Sequence, residues 1–171
     1  MHTIGVAFGV PEPYAGVLRA WRERAGDPQA ATVPPHITLL PPTEVDGTQF
    51  EAVRAHLAKV AARHLPFTVH LRGTGTFRPV SPVVFVAVAA GIAECELLAE
   101  DVRSGPLAVP VRFPYHPHVT VAQNLPDDRL DAVYEGLGSF DARYPVEHLT
   151  LYTHVSGEWL IHEEYRLDSA K

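Results

Sequence analysis

Apolar positions in this chain follow two periods, a spacing of two in short stretches bracketed by proline and a spacing of 3.6 between them. Ile4-Gly-Val-Ala-Phe-Gly-Val10 predicts a buried strand. Tyr14, Val17, Leu18 and Trp21 then fall at i, i+3, i+4 and i+7 behind Pro11 and Pro13, which predicts an amphipathic helix from Pro13 to Ala25 stopped by Gly26. Pro34-Pro35-His36-Ile37-Thr38-Leu39-Leu40-Pro41-Pro42 reads as a strand between prolines. A second helix follows, opened by a capping box of Thr48 and Glu51, with Phe50, Val53, Leu57 and Val60 as its stripe and Pro66 as its stop. Phe67–Leu71 alternates like a half-buried strand, and Gly73-Thr-Gly75 reads as a loop.

The second half repeats that order. Val83–Ala89 is a β-branched strand, and Ile92–Arg103 is a helix with Cys95, Leu98 and Val102 inward. Pro117–Val121 is another proline-led strand. Pro126 and Asp127 open a helix with Leu130, Val133, Tyr134 and Leu137 inward, and strands at Leu149–Thr153 and Trp159–Leu167 flank a Ser156-Gly157 turn. Shifting the chain by 82 residues (118 − 36) lays Pro35-His-Ile-Thr-Leu39 on Pro117-His-Val-Thr-Val121 and Phe67–Leu71 on Leu149–Thr153. A period this long is no solenoid repeat. It predicts an α+β fold: one bilobal domain over 1–171, built from duplicated β-α-β-α-β lobes. Lobe one covers about 1–75 and lobe two about 76–171, with room for strands to exchange between them. Two antiparallel sheets would face each other across a central cleft, with helices outside.

In a strand, i and i+2 share a face. His36 and Thr38 are therefore neighbours, as are His118 and Thr120, while Ile37, Leu39, Val119 and Val121 point into the core. Symmetric lobes would bring two imidazoles and two hydroxyls to one point. Displacement at phosphorus needs a base for the attacking oxygen and an acid for the leaving oxygen, and histidine can fill either role near neutral pH. Threonine hydroxyls can hold the non-bridging oxygens. Nothing in that set calls for a metal or a cofactor.

Composition narrows the partners. The 171 residues carry 14 Lys and Arg against 20 Asp and Glu, a net charge of −6, which argues against long duplex nucleic acid but leaves room for a local phosphate site. A single cysteine, Cys95, excludes an internal disulfide framework. No run of apolar residues approaches the roughly 20 of a membrane helix, and the N-terminus has no signal-peptide pattern, so the expectation is a cytoplasmic protein without membrane partners. Arg19, Arg22 and Arg24 read as the solvated face of the first helix. The oligomeric state has no signature.

His36-Ile-Thr-Leu39 and His118-Val-Thr-Val121 resemble the paired H-x-T-x motifs of the 2H phosphoesterase superfamily, which includes the bacterial 2′-5′ RNA ligase (LigT-like) proteins. The resemblance spans essentially the whole chain. It is strongest to the small bacterial phosphoesterase branch, through Thr76-Phe77-Arg78-Pro79 and the Pro-His-Val-Thr-Val-Ala-Gln run. It implies the bilobal fold, metal-independent action on a 2′,3′-cyclic or 2′-5′ phosphodiester, His36 as proton donor, His118 as proton acceptor, and Thr38 and Thr120 as phosphate ligands. The spacing alone leaves open which histidine is acid and which is base. LigT-like RNA ligases commonly carry a basic residue shortly after the second motif, where this chain has Gln123, which favours a small nucleotide or RNA-end substrate over polyanionic RNA. Phe77, Arg78 and Tyr115 are secondary candidates for the cleft. Two competing readings remain: a module that binds a nucleotide or RNA end without turnover, and a zinc hydrolase with His36, His116 and His118 as ligands.

Overall fold

Proline dictates where the motif strands can lie, because it cannot donate to a strand ladder and is tolerated only at edges and bulges. In the computed structural model, which describes residues 1–108, 110 and 114–168, both motif strands are edges. The chain runs β1 (His2–Gly9), α1 (Tyr14–Arg24), β2 (His36–Val45), α2 (Phe50–Ala62), β3 (Phe67–Thr76), β4 (Val83–Ala90), α3 (Ile92–Val102), β5 (His118–Gln123), α4 (Asp127–Gly136), β6 (Asp141–Val146), β7 (His148–Val155) and β8 (Glu158–Arg166). One antiparallel sheet has the order β2-β1-β7-β8 and the other β5-β4-β3-β6. Pro41 and Pro42 sit where the β1–β2 register slips, between Ile4↔Thr43 and Val6↔Leu40. The bulge absorbs both prolines.

The repeat appears in these sheet orders. β1 and β4, β2 and β5, and β3 and β7 hold equivalent places, as the 82-residue shift implies. The sheets do not divide at residue 75, however: β3 pairs with β4 and β6, and β7 pairs with β1. The helices cross over too. α1 packs against β5, α4 against β3, β4 and β5, α3 against β2, and α2 against α3 and β8. The Trp21 indole of α1 packs against Gly136 of α4, where any Cβ would run into it. No helix among the described residues is long and apolar enough to cross a membrane.

Several local readings need correction. The capping box belongs to Asp46 and Gln49: Asp46 Oδ1 accepts from the Thr48 N–H at 2.8 Å, and Gln49 Oε1 accepts from the Asp46 N–H at 3.2 Å. A 3-10 turn over Gly47–Gln49 precedes α2 and moves the cap upstream of Thr48. Gly73-Thr-Gly75 is strand, carried into β3 by a bulge between Leu71 and Thr74. Gly75 lies against the Phe85 ring, which leaves no room for a side chain there. Tyr134 faces solvent. On α1, Val17 is exposed and the buried stripe is Ala15, Leu18 and Arg22. Cys95 is core, as expected, and burial pushes its thiol up to about 12.

Candidate active site

β2 and β5, the edge strands of the two sheets, approach each other directly and carry the two motifs. Burial alternates as strand geometry requires: His36, Thr38, His118 and Thr120 are half-buried, while Ile37, Leu39, Val119 and Val121 are fully buried. Opposite His36 and Thr38 on β1 stand Gly9 and Ala7, too small to fill the space beside the motif. Two β2 carbonyls are hydrogen-bonded from the second half of the chain. The Tyr115 hydroxyl donates to Thr38 O at 2.7 Å, and Arg103 Nε donates to Leu39 O at 2.8 Å with its guanidinium over the Tyr115 ring.

Both imidazoles are held in the same way. His36 Nδ1 lies 2.8 Å from Pro34 O, and His118 Nδ1 lies 2.7 Å from His116 O. A carbonyl only accepts, so each Nδ1 carries the hydrogen and each Nε2 keeps its lone pair while the ring is neutral. Neither Nε2 and neither threonine hydroxyl has a partner among the described residues. Burial is the largest effect lowering the pKa of His36, with the nearby Arg22 charge adding to it. Burial also dominates the lowering at His118, helped by the charges of His116 and His36. The ties to the carbonyls oppose the shift in both rings without reversing it. The neutral imidazole is favoured at both positions.

A cleft of about 280 Å³ opens here, near the lower end of the ~300–1,000 Å³ of small-molecule sites. His36, Thr38 and Thr120 line it together with Arg22, Gln29 and Gln123, and Leu40, Tyr152 and Trp159 give it an apolar, aromatic side. His118 does not wall this cavity. Its ring packs edge-on against Phe77 at 5.1 Å and close to Phe85 and His116, within electrostatic reach of His36. Phe77 thus supports His118, and Tyr115 positions the Thr38 backbone. Arg78 does neither. Its guanidinium pairs with Asp131 at 2.9 Å and reaches Asp127 at 3.4 Å, both on α4, and Nε donates to Thr76 Oγ1 at 3.1 Å.

The reading of Arg22 as solvated is overturned. It is 5% exposed, and its Nε donates to Asp27 Oδ2 at 2.8 Å. The cause lies in the packing of α1 on β5, which brings the Asp27–Gln29 turn under the helix and encloses the guanidinium. Among the described residues, no three His, Cys, Asp or Glu side chains gather to hold a metal ion, so the alternative zinc set of His36, His116 and His118 is not formed.

The chain combines a two-sheet fold with one His-x-Thr edge strand from each sheet, and known proteins share the fold. Residues 10–158 match the 2′-5′ RNA ligase superfamily. The chain is 36% identical over 145 residues to a Bacillus thuringiensis (strain Al Hakam) protein named "Putative phosphoesterase", covering 82% of this chain and 83% of the relative. The fold matches apo E. coli LigT with a TM-score of 0.72 at 21% identity, covering 98% of each chain. It also matches TT0787 of Thermus thermophilus with a TM-score of 0.69 at 23% identity, over 99% and 100% of the two chains. E. coli LigT also has crystal structures with 3′-AMP and with phosphate. The chain belongs to the 2′-5′ RNA ligase superfamily, the LigT-like 2H phosphoesterases.

Proposed function

We propose that the protein opens a 2′,3′-cyclic or 2′-5′ phosphodiester by paired-histidine acid–base catalysis. Family membership carries the coarser part, phosphoesterase chemistry on a phosphodiester. The finer part rests on one observation: two imidazoles tied identically through Nδ1, with both Nε2 atoms and both threonine hydroxyls unengaged among the described residues. On a 2′,3′-cyclic phosphate, one Nε2 takes a proton from water as its oxygen bonds to phosphorus. The other Nε2–H gives a proton to the departing ribose oxygen as the P–O bond breaks. Thr38 and Thr120 donate to the non-bridging oxygens, where negative charge builds. The resemblance makes His36 the donor and His118 the acceptor in this direction. The crystallised complexes of E. coli LigT with 3′-AMP and phosphate support a ligand of this size.

The test is phosphorus NMR of 2′,3′-cyclic nucleotides with the protein in EDTA. The expected result is conversion of the cyclic signal to a single monoester isomer. Activity abolished by EDTA would replace this reading with a metal-dependent one. Bound phosphate without turnover would leave the nucleotide-binding module.

A pH prediction follows from the direction of the two shifts. A reaction needing one protonated and one neutral imidazole has a bell-shaped kcat/KM with its maximum midway between the two pKa values. Both are lowered from 6.5, so the maximum is expected on the acidic side of 6.5, with activity falling as pH rises through 7 and the acid loses its proton. A maximum above pH 7 would contradict the free-enzyme electrostatics described above.

A further inference from the structure

We propose that Arg22 binds the substrate phosphate, supplying from α1 the positive charge that Gln123 cannot supply from β5. The assignment rests on the phosphoesterase reading of the cleft. Arg22 is the one Lys or Arg among the described residues lining the cavity shared with His36, Thr38 and Thr120, in a chain of net charge −6. Two arms of its fork are engaged by the protein: Nε by Asp27 Oδ2 at 2.8 Å and Nη2 by Gln29 Oε1 at 3.0 Å. Nη1 has no acceptor among the described residues.

The surroundings fix the guanidinium. Asp27 is 4% exposed and also accepts the backbone N–H of Gln29 at 2.9 Å and of Gln123 at 3.1 Å. The Gln123 side-chain amide donates to the same Gln29 oxygen that Arg22 uses. Gln123 therefore holds the network together while the charge comes from a different element. A guanidinium keeps its charge at any working pH, presents a planar fork suited to phosphate oxygens, and interacts strongly where water is scarce. Its charge lies near enough to His36 to help lower that imidazole's pKa.

The experiment titrates inorganic phosphate and adenosine 3′-monophosphate into the protein by calorimetry, with melting curves as the control for folding. The double variant R22Q/D27N removes both charges, so no buried ion is left unpaired. Its phosphate affinity is expected to fall roughly 10- to 100-fold, the loss of one charged hydrogen bond. Adding Q123R to that variant is expected to restore much of the binding, which a merely structural role for Arg22 would not allow. Unchanged affinity in the folded double variant would overturn the proposal. So would a wild-type protein that binds neither probe.

If the double variant does not fold, the wild type carries the test. The guanidinium nitrogen resonances of Arg22, identified by their loss in Arg22→Lys, are expected to shift as phosphate is added, and a constant position would overturn the assignment. Failure of the two readings is separable. Phosphate binding that depends on Arg22 without cyclic nucleotide turnover sinks the catalytic reading alone. Turnover with Arg22-independent binding sinks this one alone.

Discussion

Alanine at His36 is expected to lower kcat/KM for a 2′,3′-cyclic nucleotide by roughly 10²–10⁴-fold, the usual worth of a positioned general acid or base. Alanine at His118 is expected to do the same. The double variant should be little worse than either single one, because an acid and a base that act in one proton circuit fail together. The two rings share one geometry, each tied through Nδ1 to the carbonyl two residues back, so the two losses should be of similar size. Folding should suffer little at His36, where one backbone hydrogen bond worth about 0.5–1.5 kcal/mol is lost. His118 also packs on Phe77 and Phe85, and its removal should lower the melting temperature further. Steady-state rates with melting curves on the same preparations check both points. A His118→Ala protein at full activity would remove the paired mechanism.

Asp27→Ala is expected to cost about 3–5 kcal/mol of stability, the penalty for leaving a buried charge without its partner. Both ends of the pair are enclosed, Arg22 at 5% and Asp27 at 4% exposure. The substitution also strips the acceptor from the Gln29 and Gln123 N–H groups and removes the cap of the short turn over Pro28–Ala31. For a chain of this size about 1 kcal/mol moves the melting temperature by about 2–4 °C, so a drop of roughly 6–20 °C should be seen by calorimetry. R22Q/D27N should recover a good part of it, since the cost lies in the orphaned ion more than in the missing pair. A drop under about 2 °C in Asp27→Ala would mean that water reaches the guanidinium.

The candidate site was legible where periodicity and repetition speak together. Alternation placed His36 and Thr38 on one face and Ile37 and Leu39 on the other, and the 82-residue shift identified the second copy; burial follows both. Arg22 was not legible, because a helical stripe read from apolar residues alone passes over it. It occupies the position i+4 from Leu18, and the pattern that could have found it is the acidic Asp27 five residues on, just past Gly26 and before Pro28. β6 was missed for a related reason. Asp141, Arg143 and Pro145 obscure the inward alternation of Ala142, Tyr144 and Val146, and an edge position is what makes the proline tolerable. The exchange of β3 and β7 has no local signature at all. Side-chain pattern says which face of a strand is buried and nothing about which neighbour it joins.

That exchange makes the duplication reciprocal. The residues before Phe77 supply β1 and β2 to one sheet and β3 to the other, and the residues after Pro82 supply the missing strands of both. Neither half holds a complete sheet. Cutting the connection between Thr76 and Val83 would therefore not free two lobes, because parting them would strip β7 from β1 and β4 from β3 along the middle of each sheet. Two copies of a three-stranded unit, each giving two strands to one sheet and its third to the other, would build the inner six strands of both sheets as a twofold dimer, and β6 and β8, both from the second half, add the outer edges. The single polypeptide keeps that reciprocal exchange of strands within one chain.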